Sequence, residues 1–414
     1  MSIATVMSSD RFEVLEGQGA RPSLWLERLT LQDFRNFRQA ELDCDGRIVV
    51  LTGENGAGKT NILEAVSLLA PGRGLRGARL GELERHGSSN RMPADRLSGD
   101  LGAGLGAWAI SARVMTPEGP RQIGTGRDVA ALERGRDRRV VRLDGEAAKG
   151  QQALGEVLAA VWLTPKMDRL LEEGPSARRR FLDRLVFGFD PAHAGRIAAY
   201  EQALRERARL LKTGSGEVPW LDSLEQTMAE RSVAIAAARR ETVGRLAGAC
   251  AEASDAFPRA GLGLAGDAET GLADAPAVEV EAGLRRRLAA DRARDGETGG
   301  AQVGAHRCDL TVTHLPRDLP ASLCSSGEQK ALMLSIVLAH ARLVALDRGA
   351  PPLILLDEVA AHLDSTRRQA LFGALLEIGA QAWMSGTDLA NFEALGAGAQ
   401  HFKVDDGFVR REAL

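Results

Sequence analysis

One stretch of the chain decides its fold class: Gly53-Glu54-Asn55-Gly56-Ala57-Gly58-Lys59-Thr60. It fits the pattern G-x-x-x-x-G-K-[ST], in which a glycine-rich turn directs backbone N–H groups at the phosphates of a nucleotide. The apolar run 47–52 before it predicts a buried strand, and Ile62, Val66 and Leu69 after it predict one face of a helix. A chance glycine-rich turn would not need this context, so the stretch predicts a nucleotide site in an α/β fold.

Each part of the motif has an expected role at the phosphates. Lys59 is expected to reach the β- and γ-phosphates and to act in catalysis, and the hydroxyl of Thr60 is expected to ligate Mg²⁺. The helix N-terminus adds positive potential at the same point. The predicted nucleotide-binding residues of this segment are Gly53, Glu54, Asn55, Gly56, Ala57, Gly58, Lys59, Thr60 and Asn61.

A second apolar run, 353–356, ends in the acidic pair Asp357 and Glu358. An uninterrupted apolar run predicts a strand buried on both faces, and α/β sheets bind ligands at the carboxyl ends of their strands. We predict that Asp357 holds Mg²⁺ and that Glu358 polarises the attacking water as general base. A strand followed by acids is by itself common at solvated strand ends. Because a phosphate loop occurs earlier in the same chain, this acidic pair predicts part of a nucleotide site.

The helix before that strand opens with Ser325-Ser326-Gly327-Glu328-Gln329. In one interpretation Ser325 or Ser326 is simply the N-cap of the helix. In the other, the capped N-terminus is a second phosphate clamp. The first clamp of the same chain cannot easily share its phosphates with this one, so the arrangement suits a γ-phosphate that is bound by another subunit.

Composition limits the classes of protein to which the chain can belong. It has 414 residues and 44.2 kDa, which predicts two or three domains, and 44% hydrophobic residues provide ample core. Lys plus Arg number 53 against 56 Asp plus Glu, and the formal charge of −3 argues mildly against DNA binding. Aromatic residues make up only 4%, which disfavours stacking on single strands and favours recognition of a duplex backbone.

Cysteine spacing and hydropathy indicate a cytoplasmic protein. Cys44, Cys250, Cys308 and Cys324 show no CxxC spacing, which disfavours a zinc site or disulfides and suits a reducing compartment. No run of about 18 apolar residues is evident, and the polar N-terminus lacks the apolar core of a signal peptide. We therefore expect a cytoplasmic protein with no membrane partner.

The chain is expected to fold as an α/β unit split by a mostly helical insertion. Hairpins are predicted across 98–145, a helix break at 213–219, and a loose Gly/Ala/Asp-rich run at 261–277. The predicted segments are a flexible tail at 1–22, the first part of the α/β unit at 23–170, a helical lobe at 171–297 and the second part of the α/β unit at 298–414.

Together these motifs resemble the head of the ABC-type ATPases, an α/β phosphate-loop fold. The family signature Leu-Ser-Gly-Gly-Gln aligns with residues 325–329, where Ser326, Gly327 and Gln329 match while Ser325 and Glu328 depart. In that family two heads sandwich two ATP molecules, and each signature completes the partner's site. The resemblance therefore implies that the nucleotide is ATP and that the chain forms an ATP-dependent homodimer.

Two further segments occupy positions of family motifs. Residues 361–364 (Ala-His-Leu-Asp) resemble the D-loop, with Asp364 as its aspartate. Thr387 stands where the family has a switch histidine that senses the γ-phosphate. A hydroxyl only partly substitutes for an imidazole, so we expect slow hydrolysis, as in a weak DNA-dependent ATPase that serves as a switch.

The spacing of the motifs separates the ABC-type families. Thr60 and Gly327 are 267 positions apart. The ATPase subunits of membrane transporters place these motifs much closer, and SMC-type chromosome proteins separate them by very long coiled coils, which this sequence lacks. Both are kept as alternatives. An intermediate, mostly helical insertion is similar to that of the RecF family of bacterial recombination mediators.

Several stretches between residues 24 and 410 carry the resemblance to the RecF family. They are Asp33-Phe34-Arg35-Asn36-Phe37, Leu163-Thr164-Pro165, Arg178-Arg179-Arg180-Phe181-Leu182-Asp183 and Gly304-Ala305-His306-Arg307-Cys308-Asp309-Leu310. Ala305 stands where the family has proline. Arg35 and Asn36 either face the nucleotide or form a polar turn beside a strand. We interpret His306 as structural, because no catalytic or metal-binding cluster surrounds it.

The resemblance implies an ATP-switched DNA clamp that acts in recombinational repair, replication and the DNA-damage (SOS) response. ATP would bring two heads together around duplex DNA near a single-strand junction, and hydrolysis would release the DNA. RecR and RecO are the implied partners, which help to load a recombinase onto gapped DNA. The implied location is the cytoplasm, in association with the nucleoid.

Candidate DNA contacts lie in the helical lobe, where residues 174–246 contain 13 Lys or Arg against 9 Asp or Glu. Three basic residues of this region are spaced i, i+4, i+7 and predict a one-sided stripe on a helix. The consecutive arginines 178–180 point in different directions, so they cannot all face one phosphate backbone. The alternative is a solvated helix face with internal ion pairs. The predicted DNA contacts are Arg205, Arg209, Lys212, Arg178 and Arg179.

Overall fold

The computed structural model describes residues 22–85, 108–214, 217–252 and 256–412. The predicted tail, residues 1–22, lies outside these ranges except for Pro22. The part of the predicted hairpin region that precedes Trp108 also lies outside them.

Strands and helices are numbered in chain order over the described residues. The strands are β1 (Trp25–Phe34), β2 (Phe37–Asp43), β3 (Ile48–Thr52), β4 (Ala109–Thr116), β5 (Gly119–Arg127), β6 (Arg139–Leu143), β7 (Glu146–Ala147), β8 (Ala160–Leu163), β9 (Ala260–Ala265), β10 (Asp309–His314), β11 (Leu319–Pro320), β12 (Leu353–Leu356), β13 (Ala382–Gly386), β14 (Ala399–Asp405) and β15 (Phe408–Glu412). The helices are α1 (Lys59–Ser67), α2 (Val129–Glu133), α3 (Leu154–Val157), α4 (Pro175–Phe189), α5 (His193–Thr213), α6 (Val218–Ala251), α7 (Asp267–Asp274), α8 (Ala277–Ala290), α9 (Arg292–Thr298), α10 (Ser326–Arg348) and α11 (Ser365–Ile378).

The central sheet has the strand order β15-β14-β3-β13-β12-β8, in which all neighbours are parallel except β15 and β14. Strands β3 and β8 precede the helical insertion, whereas β12 to β15 follow it. The register pairs Leu356 with Leu163 and Gly386 with Thr52. Because strands from both halves alternate in one sheet, neither half can complete it by itself.

Alternate side chains of the buried strands enter two different hydrophobic cores. In β3, Val49 and Leu51 pack with α1 and with the antiparallel sheet, whose strand order is β2-β1-β4-β5-β6-β7. Ile48 and Val50 point to the other core, which α4, α10 and α11 cover. A strand that is buried on both faces needs an uninterrupted apolar run. The predicted strands at 47–52 and 353–356 are confirmed, and so are the predicted hairpins within residues 108–145, where β4, β5 and β6 pair antiparallel.

The helical lobe is built on the pair α5 and α6, with α7, α8 and α9 packed beside it and a core of its own. Arg207 lies inside it, 1% exposed, and forms ion pairs of 2.9 Å with Glu225 and with Asp295. The prediction of a loose run at 261–277 was wrong. Leu262 and Leu264 of β9 pack against the core, so glycines between them did not prevent a strand.

Helix α10 is long and apolar enough to span a membrane by length and composition, contrary to the sequence-based expectation. Its most apolar 18-residue window is 72% buried within the protein. The helix packs against α4, α6, α11 and β8, so its hydropathy reflects a helix enclosed by the core on nearly all sides.

The architecture as a whole confirms the predicted fold class, an α/β ATPase head split by a mostly helical lobe, while the domain boundaries stay a prediction.

Candidate nucleotide-binding site

The phosphate loop runs from the end of β3 to the start of α1, as its sequence predicts. Gly53, Gly56 and Gly58 all have positive φ, with values of 150°, 89° and 117°. At Gly58 a Cβ atom would lie 2.6 Å from Nδ2 of Asn36, so both the backbone angle and the space require glycine there. The loop is therefore held in the conformation that turns successive N–H groups inward.

The side chain of Lys59 lies within the loop. Its buried ammonium donates hydrogen bonds to the carbonyl oxygens of Gly53 at 2.7 Å and Glu54 at 2.8 Å. Burial lowers the pKa of Lys59, and the nearby carboxylates of Glu358 and Asp357 act in the opposite direction. A partly desolvated cation with only neutral direct partners is suited to exchange them for phosphate oxygens.

Three side chains from distant parts of the chain meet beside the loop. The Thr60 hydroxyl donates to Asp357, whose Oδ1 and Oδ2 are 2.9 and 3.1 Å away. The Ser385 hydroxyl donates to Oδ1 of the same carboxylate at 2.6 Å. Asp357 directly follows β12 and is 5% exposed, so the end of the strand fixes its orientation.

The Thr60 hydroxyl and the Asp357 carboxylate fit the preference of Mg²⁺ for hard oxygen ligands. In phosphate-loop enzymes Mg²⁺ takes one or two protein oxygens and otherwise phosphates and water. Among the described residues no group of three or more His, Cys, Asp or Glu side chains forms a metal site, and such a cation needs none. The donor set therefore suits a magnesium–nucleotide complex, in which the ion would neutralise phosphate charge.

Glu358 follows with an unusual backbone. Its φ is 55°, in the left-handed region that costs a non-glycine residue on the order of 1 kcal/mol or more. Its N–H donates to the Ser385 hydroxyl at 3.0 Å, which helps to hold this conformation. Ser385 thus orients both acidic residues. Sequence reasoning missed it, although its place in the strand just before Thr387 was a usable signal.

The turn between β1 and β2 contacts the phosphate loop through hydrogen bonds. Asn36 donates to the carbonyl oxygen of Ala57 at 2.8 Å and accepts a hydrogen bond from Asn61 at 2.8 Å. The Arg35 guanidinium instead forms two 2.8 Å hydrogen bonds with the fully buried carboxylate of Glu64. Asn36 and Asn61 are therefore placed at the loop, whereas Arg35 is engaged by Glu64 and not directed to a nucleotide.

The signature segment has a different environment. Ser325 is the N-cap of α10: its hydroxyl accepts from the N–H of Glu328 while Glu328 accepts from the N–H of Ser325. Ser326 and Gly327 are exposed, and a Cβ atom on Gly327 would meet nothing within 4 Å. Gln329 is fully buried and donates to Glu172 and to the carbonyl oxygen of Cys324, both at 2.9 Å.

Asp364 and Thr387 complete the predicted nucleotide residues. Asp364 caps α11 through a 2.8 Å hydrogen bond from the N–H of Arg367, and its side chain is 58% exposed. Thr387 lies directly after β13 and is exposed. Both are open to solvent, as are Ser326 and Gly327.

The predicted DNA contacts divide into two groups. Arg178 forms two hydrogen bonds with Asp309, at 2.7 and 2.8 Å, and Arg179 donates to the carbonyl oxygen of Cys308 at 2.7 Å. Both therefore hold α4 to the start of β10, and neither is available as a DNA contact. His306, interpreted as structural, is bonded to Tyr200 and to the carbonyl oxygen of Ala301.

The second group, on α5, is exposed. Arg205 pairs with Glu201 at 3.4 Å and Arg209 with Glu206 at 2.6 Å, both within the helix. Their side chains are 69% and 57% exposed, and Lys212 is also exposed. The stripe exists, but acidic neighbours offset part of its charge.

Comparison with known proteins identifies the family of the chain. The profile described as "RecF/RecN/SMC N terminal domain" matches residues 25–385. A protein of Mesorhizobium japonicum named "DNA replication and repair protein RecF" is 48% identical over 387 residues, which are 93% of this chain and 97% of that protein. A protein of Brucella suis with the same name is 45% identical over 386 residues, 92% and 95% of the two chains.

Solved structures show the same fold. One described as the recombination mediator protein RecF-ATP in the RecFOR pathway superimposes with a TM-score of 0.75 at 23% identity, covering 94% of this chain and all of that one. Another, described as RecF-ATPrS, gives a TM-score of 0.76 at 22% identity, with 96% of this chain covered. The profile match and the identities to the curated relatives extend over nearly all of the described head and lobe. The chain belongs to the RecF family of DNA replication and repair proteins.

Proposed function

We propose that the protein is an ATP-dependent DNA-binding switch of recombinational repair and replication-fork maintenance. ATP with Mg²⁺ binds at the phosphate loop, two heads then close on DNA near a single-strand junction and help to load a recombinase, and hydrolysis releases the DNA. The observation that carries the proposal is the contact of Thr60 with Asp357 at the loop, while Ser326 and Gly327 stand exposed on the same chain.

The requirement for two chains follows from where these groups stand. The side-chain hydrogen bonds and ion pairs that leave residues 325–329 go to Glu172, Cys324 and Arg317 among the described residues, and none goes to the phosphate loop. Exposed N–H groups at the start of α10 are a ready site for an anion. A γ-phosphate held by a partner would satisfy them, which makes ATP part of the contact between two heads.

Slow hydrolysis suits such a switch. We assign the role of general base to Glu358, next to Asp357, but Thr387 supplies a hydroxyl where an imidazole would sense the γ-phosphate. A weaker contact to the developing charge lowers the rate of the chemical step. The ATP-bound pair would then persist long enough for partners to act, and we assign RecR and RecO to that role, in the nucleoid-associated cytoplasm and in the response to DNA damage.

The experiment that tests the proposal is ATP-dependent dimerisation followed by light scattering with gapped duplex DNA. Wild type should become dimeric with ATP, and Ser326→Arg should stay monomeric, because a bulky cation at the exposed position blocks the close approach of the partner. The matched control is Ser223→Arg, the same change at an exposed position of α6 in the helical lobe. If wild type stays monomeric with ATP and DNA, the composite site is wrong.

A gel shift on gapped duplex, with and without ATP, tests the DNA part separately. We expect binding to require ATP, since a chain of formal charge −3 should hold DNA weakly by itself. Changing Arg205, Arg209 and Lys212 together to Glu tests the α5 stripe. Unchanged affinity in that variant would move the contact surface elsewhere on the molecule.

A further inference from the structure

A large cavity lies behind α1, at the end opposite to the phosphate loop. Its volume is about 840 Å³, and its walls come from residues 68–83, 128–141 and 147–151. Leu68, in its lining, follows the last residue of α1 directly. The length of α1, nine residues, places the cavity about 13 Å from the phosphate-binding end of that helix. It is therefore separate from the nucleotide site.

The lining is strongly basic, in contrast to the chain as a whole. Five cationic side chains face two carboxylates, and both carboxylates have other partners: Asp128 accepts from the N–H of Ala131 and Asp137 pairs with Arg127. The cations are Arg73, Arg79, Arg138, Arg139 and Lys149. The cavity thus concentrates positive charge in a protein whose net charge is −3.

Arg139 forms the floor and has no carboxylate partner among the described residues. It is 7% exposed, and its guanidinium donates to Thr125 Oγ1 at 2.7 Å, to the carbonyl oxygens of Gly72 and Leu68 and to Gln151. Burial without a counter-ion lowers its pKa to about 9. The contact with Leu68 sets the cation at the carboxyl end of α1, where the helix dipole partly offsets its charge.

The other four cations of the lining form its rim and differ from Arg139 in being exposed. Arg73, Arg138 and Lys149 are exposed and form no ion pair with any described residue, and the same holds for Arg79. Exposed cations that outnumber the carboxylates around a concave surface attract phosphate. The lining contains no aromatic residue from the described ranges, so a base has no ring there on which to stack.

We propose that this cavity binds the sugar–phosphate backbone of DNA, with Arg73, Arg79, Arg138 and Lys149 as the phosphate contacts. This inference rests on the proposed function and gives it a contact surface in the head, apart from the α5 stripe.

The wall that carries two of these cations is tied to the nucleotide loop. Arg76 donates to Asn61 at 2.7 Å, and Asn61 donates to Asn36, which holds the carbonyl oxygen of Ala57 in the loop. From the other side Arg35 donates to the carbonyl oxygen of Glu82 at 2.7 Å. A shift of the loop on ATP binding would be transmitted to Arg73 and Arg79, so backbone binding here should depend on ATP.

The test is the affinity for fluorescent gapped duplex, with a non-hydrolysable ATP analogue, across a salt series. The variant is Arg138→Glu with Lys149→Glu, two exposed positions outside the nucleotide machinery. The matched control is Arg285→Glu with Arg286→Glu, two exposed arginines of α8 that form no ion pair with described residues. We expect the cavity variant to bind DNA at least about tenfold more weakly, with a salt slope smaller by about 2, and the control to match wild type.

A fluorescent ATP analogue measures nucleotide affinity in the same samples, and it should be unchanged. If the cavity variant binds DNA like wild type, or if the control loses as much affinity, the inference is overturned while the proposed function stands. Loss of nucleotide affinity in the cavity variant would assign the cavity to the nucleotide and would also overturn it. If wild type itself gains no DNA affinity with ATP, the proposed function fails, and this inference falls with it.

Discussion

The phosphate loop and the signature segment both present the N-terminus of a helix, but their surroundings differ. At the loop, Lys59 and Asp357 are almost fully buried, and both have partners within the chain. At the signature, Ser326 and Gly327 are exposed, and the first turn of α10 points into open space. Under the proposed function, one half of an ATP site is thus prepared in advance, whereas the other half has a rigid base and an open face.

That rigid base distinguishes the signature from an ordinary exposed loop. Gln329 is fully buried and bonded to Glu172 and Cys324, and α10 continues into the core for most of its length. The Oε1 atom of Gln329 has no hydrogen-bond partner among the described residues. A rigid base beneath exposed N–H groups suits contact with a partner, because little conformational entropy remains to be lost when the contact forms.

The largest expected effect comes from the prepared half. Glu358→Gln removes the proposed general base but keeps the shape of the site, so the rate of ATP hydrolysis should fall by about 10²- to 10⁴-fold. ATP binding should persist, and the ATP-bound dimer should last longer, as measured by single-turnover hydrolysis and light scattering. A variant that hydrolyses ATP at the wild-type rate would remove Glu358 from the mechanism.

Mixing two inactive variants compares the halves directly. Lys59→Ala disables the prepared half, and Gly327→Ala disables the open half with one methyl group in place of the bulky side chain that blocks pairing. In a mixed dimer, one site carries both defects and the other carries neither. Mixing should therefore restore part of the hydrolysis that each variant lacks by itself, because only the mixed dimer contains an intact site. A site completed within one chain predicts no recovery, and each variant alone serves as the control.

The helix under the open half should respond to pH. His340 is buried in α10, its Nε2 donates to the carbonyl oxygen of Leu185 at 2.8 Å, and burial lowers its pKa to about 4. The unfolded chain, with an ordinary histidine pKa, binds more protons between about pH 6.5 and pH 4. Stability therefore falls as the pH decreases through this window, by about 2 kcal/mol at pH 5.

The variant His340→Gln isolates this contribution, because an amide can still donate to Leu185 and does not titrate. Chemical unfolding measures the free energy of unfolding of both proteins at pH 7 and pH 5. The difference between wild type and variant should be about 2 kcal/mol smaller at pH 5 than at pH 7. Parallel pH profiles for the two proteins would contradict the assignment to His340.

The smallest effect tests the residue that orients the prepared half. Ser385→Ala removes the 2.6 Å hydrogen bond to Asp357 and the acceptor for the N–H of Glu358. Loss of a group that orients metal ligands costs on the order of tenfold in metal affinity or rate. We expect a higher Mg²⁺ requirement for hydrolysis and a rate about tenfold lower. Ser335→Ala, a buried serine of α10, controls for loss of a hydroxyl in the core.

Local patterns in the sequence were sufficient for much of the fold. The strands at 47–52 and 353–356 were recognisable because burial on both faces demands continuous apolar residues. The strand β9 was not, since Gly261 and Gly263 are typical of a loop, and the pairing with β10 and the packing of Leu262 and Leu264 on the core stabilise it. Local sequence also could not reveal the roles of Arg178 and Arg179, because their hydrogen-bond partners, Asp309 and Cys308, are about 130 residues away along the chain.

By itself the sequence determined the phosphate loop and the family, and it predicted roles for Lys59 and Thr60, because backbone conformation within a short glycine-rich stretch is a local property. Only the tertiary structure decided which groups act together. Thr60 and Asp357 are 297 positions apart, and Ser385 joins them because β3, β13 and β12 are neighbours in one parallel sheet. The basic cavity likewise exists only where the segment after α1 meets β6. Contacts between distant segments depend on sheet register and packing, which no single stretch of sequence contains.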